Sequence, residues 1–321
     1  MKKYFMRAVS AVLIFIIMTP VLSGCAGTVR RDYNKISVIT TIFAPYDFVR
    51  QIAGERVELK MLLSPGSEAH SYEPSPQDII SIRECDVFIY VGGENDAWVD
   101  TILESVDTSD KIIIRLLECV DSLCEEEEIE GMEVHEHHGH EEEEEAEWDE
   151  HVWTSPVNAM SICESIENAL GTKDPENAEY YREKLAEYNA ALEELDETFR
   201  DIVADGKRDT IVFGDRFPAR YFVEEYGLEY FAAFPGCASQ SEASAATVAF
   251  LIDKVRDEKI PVVFKIELSN GNIAETIAVD TGAKVLTFNT CHNLSKDDFE
   301  NGATYLSLMY RNAEALKEAL D

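Results

Sequence analysis

From Lys35 onward, apolar and polar positions follow two alternating rhythms. "ISVITT", "VELKMLL", "VFIYVGG" and "KIIIRLL" are short β-rich runs, and "VFIYVGG" is almost continuously apolar, as a strand in a buried parallel sheet requires. Between them, "YDFVRQIAG", "SPQDIISIRECD" and "WVDTILESV" carry apolar residues at helical spacing; the second has a Ser cap and a Pro in its first turn. Such alternation predicts a parallel sheet covered by helices. The same rhythm returns later in "TIVFGD", "ARYFVEEYG", "EYFAAF", "SAATVAFLIDKVRDEK", "PVVFKIE", "GNIAETIAVDTG" and "KVLTFNT", and the helix "ATYLSLMYRNAEALKEAL" closes the chain. The expected fold class is therefore α/β, with two parallel-sheet lobes of similar size.

The segment between the lobes is different. Pro156 to Leu170 reads as one helix, and Asp174 with Pro175 starts a second that no Gly or Pro interrupts until Gly206. At 1.5 Å per residue this second helix is about 45 Å long, too long for one compact lobe and suited to a stiff backbone between two. The expected division is a leader over 1–25, a first lobe over 26–172, a linker helix over 173–206 and a second lobe over 207–321.

The leader reads "MKKYFMRAVSAVLIFIIMTPVLSGCAG". Lys2, Lys3 and Arg7 precede an apolar run that is short for a membrane helix of about 20 residues, which is the pattern of an export signal. "LSGC" resembles a bacterial lipobox with Cys25 as the acylated residue; an ordinary signal peptide that happens to hold a cysteine is the alternative. The mature chain is expected outside the cytoplasm, lipid-anchored to the cell membrane. The full chain's net charge of −35, from 28 basic and 63 acidic residues, excludes nucleic-acid binding and suits cationic partners, metal ions included. Cys119 and Cys124 are the one near pair among the other cysteines, and a disulfide or two buried thiols both remain open.

Three histidines fall near strand ends or lobe connections: His70 in "GSEAHSYEPSPQDI", His151 in "DEHVWTSP" and His292 in "KVLTFNTCHNLS". A lone His is usually an ordinary core or surface residue. Three in corresponding places argue for metal, because neutral imidazole is the commonest ligand of Zn2+ and related ions. Three nitrogen donors and a carboxylate would complete a tetrahedron; they favour Zn2+ over Mn2+, though Mn2+, Fe2+ and Ni2+ stay open. The other four, His135, His137, His138 and His140, lie in an insertion over 122–149 that is too acidic and too poor in apolar residues to fold alone.

"HSYEPSPQD", "DEHVWTSPVNA" and the long linking helix resemble the zinc/manganese substrate-binding lipoproteins of metal-uptake ABC transporters, over essentially the whole mature chain. The resemblance implies two α/β lobes joined by one rigid helix, with a metal in the interlobe cleft. It assigns His70 as first ligand and His151 as second, although Glu150 stands where the family often has Pro. The family's zinc members usually carry a third His after the first strand of the second lobe, where this chain reads Gly214, Asp215, Arg216. The fourth place, often an Asp near the last strand, here holds Asn289 and then His292. The expected site is therefore His70, His151, His292 and the carboxylate of Asp215, with Glu267 as a competing ligand or as a partner orienting a ligand imidazole. No ligand role is expected for Cys237 or Cys291. The His-rich insertion is expected to collect or sense zinc, and the partners implied are a membrane permease and its ATPase, served by a monomer that is not an enzyme. Three rivals remain: a metallohydrolase, for which no HExxH or similar helical pair exists; a zinc-buffering or adhesin-like surface lipoprotein; and a binder of an organic solute.

Overall fold

The computed structural model describes residues 35–68, 72–133, 147–238 and 242–321. Cys25 and the rest of the leader, His70, and the insertion histidines His135, His137, His138 and His140 lie outside the described residues.

The first lobe is built on β1 (Ser37–Thr40), α1 (Phe43–Ala53), β2 (Glu58–Met61), α2 (Pro76–Glu84), β3 (Val87–Tyr90), α3 (Ala97–Ser105) and β4 (Ile112–Arg115). Its strands pair in parallel in the order β2-β1-β3-β4. β3 is buried at every position, which explains its unbroken apolar run. Ser75 caps α2 in a reciprocal box with Asp78, with Pro76 opening the helix.

Two helices follow, α4 (Pro156–Lys173) and α5 (Ala178–Asp205). α5 has 28 residues, about 42 Å at 1.5 Å per residue. It starts at Ala178, later than the Asp174–Pro175 signal suggests. Asp174 instead closes α4 through its N–H to Leu170 O, and its carboxylate accepts from Asn177 Nδ2 and Tyr181 Oη, both at 2.7 Å, so it pins the turn between the helices. The linker is thus a helical hairpin with a four-residue turn.

The second lobe comprises β5 (Thr210–Phe217), α6 (Arg220–Tyr226), β6 (Glu229–Pro235), α7 (Ala245–Glu258), β7 (Val262–Ile266), α8 (Asn272–Thr281), β8 (Lys284–Phe288), α9 (Lys296–Glu300) and α10 (Tyr305–Leu320). Its strands pair in parallel in the order β6-β5-β7-β8, so it repeats the winding of the first lobe. β5 is longer than "TIVFGD" suggests, and its register slips between Phe213 and Arg216. That irregularity falls on Gly214 and Asp215.

α5 packs against α1 of the first lobe and α10 of the second. Phe43 and Phe48 of α1, Tyr181, Leu192, Leu195 and Phe199 of α5, and Tyr305, Leu308 and Leu316 of α10 belong to one continuous apolar core. The lobes therefore share a hydrophobic interior along the linker and cannot swing freely on it. The remaining cleft opens where both sets of strands end, the usual ligand position in open α/β sheets.

Candidate metal centre

His151 is set by its immediate neighbours. "DEHVWT" runs through a single 3-10 turn, Val152–Thr154, into α4, which Ser155 caps. The Asp149 carboxylate accepts from His151 N at 2.8 Å and lies 3.1 Å from His151 Nδ1. Glu150 points elsewhere and accepts from Asn95 N and Nδ2 at 2.9 and 3.0 Å. The ring is fully buried. Burial works against the imidazolium, but the charge and hydrogen bond of Asp149, with Glu150 and Glu126 adding, raise the pKa above its ordinary value. When Asp149 accepts a hydrogen bond from Nδ1–H, the lone pair sits on Nε2, which is the nitrogen that then offers itself to a metal.

His292 is set by distant residues. It follows β8 in "NTCH", and its N–H donates to Thr290 Oγ1 at 3.1 Å. Thr290 is held by Glu267, whose carboxylate accepts from Thr290 N at 2.7 Å and from Thr290 Oγ1 at 2.5 Å. Trp153, contributed by the His151 loop, donates Nε1–H to Thr290 O at 2.8 Å, and Tyr305 Oη donates to Trp153 O at 2.7 Å. The indole thus locks the two loops together. Its ring centre lies 5.5 Å from that of His151 and 5.1 Å from that of His292. Leu268, just after Glu267, and Cys291, just before His292, adopt left-handed backbone with φ of 64° and 58°. Such strain costs about 1–3 kcal/mol per residue and gathers where surrounding structure over-determines a functional loop.

The two rings meet. Their centres are 5.5 Å apart with planes at 79°. Two imidazoles bound to one tetrahedral Zn2+ at about 2.1 Å would have centres about 5 Å apart. They line a cavity of about 30 Å³ with Ser67, Glu68, Glu267 and Thr290. That space suits an ion or a water, since one water needs about 10–15 Å³ by this kind of measure. It is far too small for the organic solute considered above. Burial, with the charge of Asp215 adding, pushes the Glu267 carboxyl up to about 7 against the donors from Thr290.

Asp215 is not at this cavity. Its oxygens accept from Arg216 N at 3.0 Å and Ile266 N at 3.3 Å, and it lines a neighbouring space of about 230 Å³. Arg216 stands there too, paired with Glu68 at 3.3 Å and donating to Ala238 O at 3.2 Å. Of the two carboxylates weighed in the sequence, Glu267 shares the space of the imidazoles. Among the described residues, no three His, Cys, Asp or Glu side chains gather closely enough to hold an ion by themselves. His70 lies two positions beyond Glu68, outside the described residues. All six described cysteines are thiols, so Cys119 and Cys124 are not bonded. Sequence reasoning overlooked Asp149, Trp153 and Thr290. Asp149 was within reach of it, standing two residues before the ring it holds.

Two parallel α/β lobes bridged by a long helix each send an imidazole to one small buried space. The model of the family "Zinc-uptake complex component A periplasmic" matches residues 38–319, and the chain belongs to that family. It is 32% identical over 301 residues to the high-affinity zinc uptake system protein ZnuA of Bacillus subtilis, covering 93% of this chain and 92% of that protein. It is 29% identical over 329 residues to the zinc-binding lipoprotein AdcA of Streptococcus pneumoniae; the match covers 100% of this chain but 62% of AdcA. The crystal structure of the Zn(II)-bound ZnuA-like domain of that AdcA superimposes with a TM-score of 0.72 at 28% identity, over 89% of this chain and 99% of the domain. The family is a solute-binding component of transporters. Among the described residues no helix is long and apolar enough to cross a membrane.

Proposed function

We propose that this chain is the extracytoplasmic capture component of a metal importer, which takes a zinc ion between its lobes and hands it to a membrane permease powered by an ATPase. The observation that carries the reading is the meeting of His151 and His292, from different lobes, with ring centres 5.5 Å apart on a cavity of single-ion size. The relatives named for zinc support it.

The ligand set proposed is His70, His151 and His292, with Glu267 as the carboxylate in place of Asp215. His70 enters on its sequence motif, and Glu68 at the cavity wall supports it. Three imidazoles suit Zn2+ better than Mn2+, which prefers oxygen donors. A tetrahedron filled by protein leaves no open position for an activated water, which is the arrangement of capture and not of hydrolysis. Lobe boundaries at 172 and 206, acylation of Cys25 and a gathering role for His135, His137, His138 and His140 belong to the same proposal.

Metal analysis of the purified mature protein, followed by competitive titration, tests it. One tight zinc per chain is expected. His292→Ala should weaken it by at least about 100-fold, more than loss of an outer partner costs. An unchanged dissociation constant would remove His292 from the site.

A further inference from the structure

The insertion that leaves the first lobe does not simply hang from it. Glu125 pairs antiparallel with Trp148, Glu126 N donates to Glu147 O at 2.8 Å, and Asp149 N donates to Cys124 O at 2.9 Å. This short stem runs straight into Asp149, which orients His151.

From the stem, residues 124–133 lie across the second lobe. Cys124 N donates to Tyr221 Oη of α6 at 3.2 Å, and that hydroxyl donates to Asp149 O at 2.8 Å. Glu126 Oε1 accepts from Cys237 N at 2.8 Å, and Glu127 Oε2 faces Arg220 Nε at 3.4 Å. Gly131 has φ +90°, and a Cβ there would fall 2.1 Å from Phe250 Cδ1 on α7, so only glycine fits. Met132 is buried in the main core. Glu133 N donates to Ala233 O at 3.0 Å, on β6, the edge strand of the second sheet. The Glu133 carboxylate accepts from Ser244 N at the start of α7, where the helix favours negative charge.

The wall it holds is part of the ion cavity. Gly236 lines that cavity, and a Cβ on it would stand 3.1 Å from Asp149 Oδ2 and 3.3 Å from His151 Cε1. The next residue, Cys237, is the one Glu126 grips.

We propose that residues 124–133 form an interlobe strap that sets how long a captured ion stays. The inference rests on the functional reading above and adds its regulation. Letting the ion go requires the second-lobe wall to part from Asp149 and His151, and the strap ties those two regions directly. Its residues act by positioning; none is a ligand. Their loss should therefore change release far more than capture, as is usual when contacts of a formed complex are altered.

Stopped-flow release of zinc into excess chelator, with association rates measured separately, tests the strap in the full mature chain. The double variant Gly131→Ala/Glu133→Ala should release zinc about tenfold faster, with association within about threefold and one tight zinc still bound. Glu133→Ala alone should give about threefold and serves if the double variant does not fold. Glu133→Gln keeps an acceptor for Ser244 N and should release at the wild-type rate. Hydrogen exchange at the amides of residues 125–133 reports detachment. Faster exchange there with an unchanged release rate overturns the strap alone. A wild-type chain without tight zinc overturns the functional reading and the strap with it.

Discussion

His151 and His292 reach one cavity from different lobes, and they are held by different means. The first is fully buried and oriented by a carboxylate two residues away. The second sits on a strained turn and is held through Thr290 by Glu267, 23 residues upstream of Thr290, and by Trp153 from the other lobe. One ring is held by its own loop. The other is held by contacts that reach across the fold. The cavity thus has one jaw fixed locally and one defined by the fold as a whole.

The largest expected effect lies at the fixed jaw. His151→Ala should weaken zinc binding by about 1000-fold, beyond the loss from His292→Ala, because a preoriented ligand loses little entropy on binding. Competitive titration of both variants checks the order; the reverse order would mean that the second-lobe loop is the rigid one.

A smaller effect separates the supports of the two rings. Asp149→Asn should cost about 10–100-fold in zinc affinity, the usual toll for removing a carboxylate behind a ligand imidazole. Thr290→Val, which removes the hydroxyl bridging Glu267 to the His292 backbone, should cost about tenfold or less, since Trp153 still holds Thr290 O. Equal losses would erase the distinction.

The smallest effect concerns stability without metal. On the first-lobe side, Asp96 accepts from Val91 N at 2.8 Å and Gly92 N at 3.3 Å, yet burial, aided by the nearby charge of Glu150, pushes its carboxyl up to about 6. The folded chain therefore binds a proton more tightly there than the unfolded chain does. That contribution is full below about pH 4 and is lost as pH rises through about 6, up to about 3 kcal/mol. Asp96→Asn keeps an acceptor oxygen and removes this pH dependence. Urea unfolding of the chelator-treated protein at pH 4.5 and pH 7.5 should show wild type losing more stability than the variant over that interval. Parallel slopes would mean that Asp96 stays solvated.

Much of the architecture was legible because it is local. Buried parallel strands such as Val87–Tyr90 announce themselves by unbroken apolar runs, and Ser75-Pro76 marks a helix start by chemistry that acts within one turn. The start of α5 was misjudged for a related reason: Asp174 and Pro175 look like a cap and first turn, but the Asp174 side chain is spent on Asn177 and Tyr181. The candidate ligands His151 and His292 were legible from their places after strands or before helices. Where Asp215 and Glu267 stand relative to the rings was not, because Asp215 lies inside β5 at a register slip while Glu267 follows β7 directly. The strap was hidden by composition. Glu126, Glu127 and Glu133 look like a solvated charge run, and their partners Cys237, Arg220 and Ser244 lie about a hundred residues away.

The apolar interior that runs beneath α5 has a consequence for how this molecule can be divided. Cutting the chain at either end of the linker would strand Phe48, Leu192 and Tyr305 in water, all of them buried in the same core. Neither half carries enough covering of its own, so the two lobes should melt in one transition and should not survive as separate pieces. What looks like a pair of domains in its strand order is, thermodynamically, a single body with a slot in it.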